Sequence, residues 1–324
     1  MTQSKRIHGL DGLRGLAALS VVGFHAHSTF AAFPGWWAKG YLAVDFFMML
    51  SGYVMARTYE GRMREGLGSA TFFKLRYKRL WLTMAIGSLI GIPYLWVMTD
   101  HPLRFAGSLL LNLALVPAPL NNELFPLNGP AWSIFYELLA NLIHVALLWR
   151  LSDRVLLTLA IVLLGLLGVF ARAKGDIDFG ALAPAFQFTI VRSLAAYTCG
   201  ILLWRHWRDK PAIKVPPALP FVALPVLMLA PFTALGWAYD LAFVALACPL
   251  LIAGGLRLEG AARWAALSGA LSFPLYAIHA PVLRAAALAA INPVLSALLA
   301  VLAGIALAWW LSRRQQRAKP ATTT

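Results

Sequence analysis

The sequence predicts an all-α polytopic membrane protein of about ten transmembrane helices, with one short re-entrant or interfacial helix and both termini cytoplasmic. Three observations point there. The chain of 324 residues is 60% hydrophobic and only 13% charged. Apolar runs such as 10–30, 81–98 and 156–170 recur from end to end, close to the roughly 20 residues needed to cross a hydrocarbon core about 30 Å thick. A soluble fold cannot hide so many. The basic residues, finally, alternate. With the N-terminus inside, 21 of the 28 Lys and Arg fall in inner segments, and only Lys39, Arg104, Arg172 and Lys174 fall in outer ones. This asymmetry is the positive-inside rule. It accounts for the net charge of +15 with a lipid bilayer, and not nucleic acid, as the partner.

The predicted spans are, in order, 9–30, 40–58, 80–98, 130–150, 154–171, 184–205, 218–235, 238–256, 267–290 and 293–312. The first carries Arg14 and His25, which the uninterrupted apolar core of a cleaved signal peptide excludes. Trp36 and Trp37 stand before the second, and Trp309 and Trp310 close the tenth, as interfacial belt residues. The run 105–116 is too short to cross and is the re-entrant or interfacial element. The loop 57–79 is cytoplasmic and basic. The loop 100–129 is external and ends in the turn-rich stretch Pro126–Pro130, and Pro130 suits a helix start. Residues 1–324 form one membrane domain, with a helical core over 7–312 and a basic polar cytoplasmic tail over 313–324. Cys199 and Cys248 lie in apolar runs and suggest neither a disulfide framework nor a metal site.

Ionisable side chains inside hydrocarbon are costly, so they mark sites. Arg14 and His25 are 11 positions apart, which puts them on one helix face with roughly 16 Å of axis between them. Asp45 enters the second span at the depth His25 occupies in the first. A carboxylate beside an imidazole fixes its tautomer and raises its basicity, so the two form a base and its orienter where helix rotation brings them together. Ser133 and Glu137 share a face of the fourth span. Tyr276 and His279 precede Pro281 in the ninth, where the proline opens the backbone ladder. Four spans thus aim polar groups at one region. Arg76 and Arg79 are i, i+3 at the start of the third span, and guanidinium groups grip phosphate bidentately.

These residues together resemble the acyltransferase-3 family of membrane acyltransferases. Leu10-Asp11-Gly12-Leu13-Arg14-Gly15 followed by His25 is similar to its arginine–ten residues–histidine signature. Ala43 to Tyr53 resembles its second-helix motif, with Ala43 where glycine is usual. Arg76-Tyr77-Lys78-Arg79 matches its RxxR element, with Leu82 where a proline often follows. Trp132-Ser133 with Glu137, and Leu271 to His279, match two further motifs. The resemblance runs from about residue 7 to 312.

What the resemblance implies is transfer of an acyl group, acetyl by default, from cytoplasmic acetyl-CoA (acyl-CoA) to a hydroxyl of an extracytoplasmic carbohydrate or glycoconjugate. The home it implies is a bacterial inner membrane. Its catalytic residues are His25, Asp45 and Glu137, its donor-binding residues Arg14, Arg76 and Arg79, and its acceptor-binding residues Trp132, Ser133, Tyr136 and His279, with no metal. In this reading Arg76 and Arg79 hold the donor phosphates at the inner face, and His25 deprotonates the acceptor. Trp132 stacks on a sugar ring at the outer rim. Structural alternatives stand beside these roles. Arg76 and Arg79 also obey the topology rule, Ser133 bonds its own backbone in many helices, and Tyr276 and His279 are placed to mend the ladder around Pro281. The rival function is a secondary transporter with a midplane polar site. A transporter of that type shows two similar halves, and no internal repeat is visible here.

Overall fold

The protein is seen here as a computed structural model that describes residues 6–258 and 263–317. The described chain is all-α. Its helices are α1 (His8–Thr29), α2 (Ala43–Arg64), α3 (Ser69–Ile90), α4 (Ile92–Met98), α5 (Pro102–Leu113), α6 (Ala131–Ala146), α7 (Asp153–Lys174), α8 (Phe186–Trp207), α9 (Leu219–Val226), α10 (Gly236–Ala242), α11 (Cys248–Leu256), α12 (Arg263–Leu288) and α13 (Pro293–Arg317). Every predicted span contains helix. Five stretches are both long and apolar enough to cross a membrane, namely 153–174, 183–207, 230–256, 263–288 and 293–317. Counted as one broken span, the pair α3 and α4, bent by 54° at its break, brings the number to six. This is a polytopic membrane protein. Both α1 and α2 have 22 residues, roughly 33 Å of helix, but the polar groups they carry keep them below that apolar standard.

Three predicted elements differ, each for a local reason. The span predicted at 218–235 is not one helix. It is the eight-residue α9, followed by a 3₁₀ stretch at Ala230–Leu235. Pro225 lies inside α9 and Pro231 opens the 3₁₀ stretch, and each proline removes a ladder donor. The span predicted at 80–98 begins much earlier, at Ser69, so Arg76 and Arg79 lie within the helix. It breaks at Gly91, where an added Cβ would sit 1.7 Å from the Leu127 carbonyl oxygen. The loop before α6 thus tucks its backbone into the bend. At the other end α13 continues to Arg317, so the predicted tail at 313 is helical as far as that residue, and 318–324 lie outside the described residues.

Helix pairing positions the site. α1 lies along α12, α2 along α8, and α3 reaches both α6 and α12. Small residues permit these approaches. An added Cβ on Gly52 would meet the Tyr197 carbonyl oxygen at 2.0 Å, and one on Gly200 the Met49 carbonyl oxygen at 1.9 Å, so α2 and α8 touch backbone to backbone. By contrast, α7 and α13 expose Leu157, Ile161, Val169, Leu298 and Leu302, a surface suited to lipid.

Candidate active site

His25 and His279 meet across the α1–α12 interface. Nε2 of His279 lies 3.1 Å from Nδ1 of His25, with ring centroids 4.9 Å apart. The carbonyls around them fix the proton positions of the neutral pair. Nδ1 of His279 is 2.8 Å from the Tyr276 carbonyl and 3.1 Å from that of Leu275. A carbonyl only accepts, so this nitrogen donates and Nε2 of His279 is the acceptor. Nδ1–H of His25 then donates to it, and also faces the Val21 carbonyl at 3.1 Å. Among the described residues nothing bonds Nε2 of His25, which keeps its lone pair free on a half-buried ring. That is the state a general base requires.

Asp45 does not orient His25, contrary to the sequence expectation. Its carboxylate is 1% exposed and accepts from Arg192 on both oxygens, at 2.9 Å from Nε and 2.6 Å from Nη2. The rotation of α2 turns Asp45 toward α8, where a bidentate guanidinium satisfies a buried carboxylate better than an imidazole does. Arg192 also donates to the carbonyls of Phe179 and Tyr41 at 2.7 and 2.9 Å. The sequence reading passed over Arg192. Its signal was an arginine deep inside an apolar run.

Glu137 and Arg76 were expected at opposite ends of the substrate path, and they are in contact. Oε1 of Glu137 accepts from Arg76 at 2.7 Å and from Ser51 Oγ at 2.8 Å. Because α3 starts at Ser69, Arg76 lies about 10 Å along the helix and is 4% exposed. It therefore does not present itself beside Arg79 for a phosphate. Arg79 is exposed and makes no hydrogen bond or ion pair among the described residues. Arg14, with 30% of its side chain exposed, reaches only Asp11 among the described residues, at 3.9 Å. It lies within electrostatic reach of Arg79, Glu137 and Arg76. Three arginines from α1 and α3 thus gather near one carboxylate from α6, and two of them, Arg14 and Arg79, are partly or fully open to solvent.

The residues expected at the acceptor rim are closed off. Trp132 is 7% exposed, with Gly180 against its ring and the Arg192 guanidinium 5.7 Å from its centre. It offers no open face to a sugar. Tyr136 is 1% exposed, and its hydroxyl donates to the Phe186 carbonyl at 3.0 Å. Oγ of Ser133 is 2.6 Å from the Tyr276 hydroxyl and 3.1 Å from the Pro130 carbonyl, so it faces its own backbone and a partner helix. His279 is fully buried and touches His25 in place of solvent. These side chains pack the walls of the site because the first turns of α6 bond to Tyr276 of α12 and to Phe186 at the start of α8.

The Pro281 break is mended by neither Tyr276 nor His279. A helix would give the Ala277 carbonyl the N–H of residue 281, which proline lacks. Nδ2 of Asn128, buried in the loop before α6, donates to that carbonyl at 2.8 Å. Asn128 was legible only through its distance from Pro281 in space, which no sequence pattern carries.

Residues 7–313 match the model of the acyltransferase-3 family, described as an acyltransferase domain. The chain is similar to "Protein 2 in picA locus" of Rhizobium radiobacter, at 39% identity over 166 residues, which is 44% of this chain and 84% of that protein. It is also similar to a protein of Komagataeibacter xylinus whose name describes a membrane-bound transacylase, BcsY. That match is 35% identical over 92 residues, 28% of this chain and 21% of the other. No solved structure matches the chain. With a family match over nearly its whole length, this chain belongs to the acyltransferase-3 family and is a membrane acyltransferase.

Proposed function

We propose that the protein transfers an acyl group, acetyl by family resemblance, from cytoplasmic acyl-CoA to a hydroxyl of an extracytoplasmic carbohydrate or glycoconjugate, in a bacterial inner membrane with both termini inside. One observation carries the reading. The only free lone pair of the His25–His279 pair sits on the same face of α1 as Arg14, at the far end of roughly 16 Å of helix. A donor whose phosphates rest on Arg14 and Arg79 would lay its pantetheine arm along that face and bring the thioester to His25. The name of the Komagataeibacter relative agrees with transfer at a membrane.

In the reaction, the acceptor hydroxyl attacks the thioester carbonyl while Nε2 of His25 takes its proton. The C–O bond forms, the C–S bond breaks, and the proton passes from His25 to the departing sulfur, giving free CoA thiol and the ester. His279 accepts from Nδ1–H of His25 throughout, which holds the ring and steadies the imidazolium as it forms. Base help of this kind contributes typically 10²–10⁴-fold. Glu137, paired with Arg76, anchors the arginine cluster and is not the proton acceptor.

The test is sidedness. The protein is reconstituted in sealed vesicles in one orientation, and acetyl-CoA is supplied to one face at a time. Free CoA appears only when the donor is on the face that carries Arg79. Release of CoA from the opposite face alone would contradict the donor path.

A further inference from the structure

The end of α13 carries a basic cluster that acyl transfer does not use. Ser296, Ala300 and Gly304 of this helix turn inward, and an added Cβ on Gly304 would lie 2.9 Å from the Leu275 side chain of α12. The opposite face is an exposed stripe of Leu298, Leu302, Ile305 and Trp309, spaced at i, i+4, i+7 and i+11. From Ser312 to Arg317 every residue is exposed. Two rows of side chains run in parallel there, Trp309, Arg313 and Arg317 in one, Trp310 and Arg314 in the other. The Arg313 guanidinium stands 4.1 Å from the centre of the Trp309 ring, and that of Arg314 stands 5.5 Å from Trp310. These five side chains line a cleft of about 140 Å³.

We propose that this cleft binds the phosphate of an anionic glycerophospholipid, with an acyl chain laid along Leu298, Leu302 and Ile305. The donor and acceptor inventory points to an anion. Indole and guanidinium side chains donate and do not accept, and none of the five makes a hydrogen bond or ion pair among the described residues. The stripe makes that anion an amphiphile, since a soluble phosphate gains the arginines and nothing from the leucines. Depth agrees. From Pro293 to Arg313 α13 rises about 30 Å, the thickness of the hydrocarbon core. With Pro293 at one boundary, the cleft lies at the level of the lipid phosphates at the other. Guanidinium groups grip phosphate bidentately, and three of them repel a headgroup that carries an amine. The ligand is therefore of the phosphatidylglycerol type and not phosphatidylethanolamine. The positive-inside rule asks only for cations at one end of a span. It does not ask that they stack on paired indoles around one cleft.

The experiment titrates the full-length protein in detergent with phosphatidylglycerol, phosphatidylethanolamine or phosphatidylcholine, and counts bound lipid by native mass spectrometry. The wild type holds one phosphatidylglycerol with a Kd at least tenfold below that of either zwitterionic lipid. Replacing Arg313→Gln, Arg314→Gln and Arg317→Gln together raises that Kd tenfold or more and leaves phosphatidylcholine binding unchanged. Replacing Arg154→Gln, Lys210→Gln and Lys214→Gln together removes three exposed cations elsewhere and has no such effect. Equal losses in the two triple variants would mean diffuse attraction to charge, and overturn the site. Equal Kd values for the three lipids in the wild type overturn it whatever the variants do. Displacement of phosphatidylglycerol by glycerol phosphate at equal concentration would show a headgroup site without a chain, and removes the lipid assignment. None of these outcomes bears on the acyl-transfer reading, which turns on other residues.

Discussion

Nδ1 of His25 and Nε2 of His279 lie 3.1 Å apart across the α1–α12 interface, and the carbonyls of Leu275 and Tyr276 set the direction of the hydrogen bond between them. The group that holds the His25 ring is a second imidazole, not a carboxylate.

The two histidines therefore act as a unit. On the proposed mechanism, His25→Ala removes the base and lowers acyl transfer by about 10²–10⁴-fold. His279→Ala leaves the base but frees its ring to turn, and its loss is smaller. The double variant is no slower than His25→Ala alone, because groups acting together lose their effect together. Steady-state rates for the three proteins check this. Additive losses would separate the two roles.

Asp45 and Arg192 predict a stability effect. Removing one partner of a buried pair leaves an uncompensated charge, at a cost of roughly 3–5 kcal/mol. Asp45→Ala and Arg192→Leu should each lower the thermal unfolding temperature in detergent sharply. The double variant should recover much of that loss. A variant of Asp45 that kept wild-type stability and lost only turnover would return Asp45 to the catalytic set.

The arginines divide in the same way. Arg14 and Arg79 are partly or fully open to solvent, so Arg79→Ala and Arg14→Ala should each weaken CoA binding by about 1.5–3 kcal/mol, the range for hydrogen bonds to charged groups. Arg76→Ala should cost stability first, since it strips Glu137 of its partner. Calorimetric titration with CoA, beside unfolding curves, separates these outcomes.

Asn128 offers a test of the backbone around the site. Asn128→Ala leaves the Ala277 carbonyl buried without a donor, at about 1–3 kcal/mol. Pro281→Ala in that background restores the N–H and should win back part of the loss. In the otherwise wild-type protein the same proline substitution has no such gain to make. A thermal double-mutant cycle reads the coupling directly.

Much of this was legible in the sequence. Apolar run length placed helix in every predicted span, and the 11-residue spacing put Arg14 and His25 on one face of α1. The family motifs grouped Arg14, Arg76 and Arg79 as donor-binding residues, but gave no sign of the burial that turns Arg76 onto Glu137. Helix rotation was not legible. Depth along a helix can be counted, so Asp45 was placed level with His25, but only packing decides that it turns toward α8 and Arg192. Burial was not legible either. Trp132 and Tyr136 have the chemistry of a sugar platform, and the bonds of α6 to its neighbours make them wall. Helix ends moved where prolines or a loop carbonyl intervened, as at Pro225 and Gly91.

The proposed mechanism turns on His25 as the base of an acyl transfer from CoA. The measurement that reaches it most directly is release of free CoA from acetyl-CoA by the purified protein, wild type against His25→Ala, at matched folding and matched CoA binding. If His25 is the base, the wild type releases CoA and the variant does not, with CoA still bound. Equal turnover by the two proteins would contradict it.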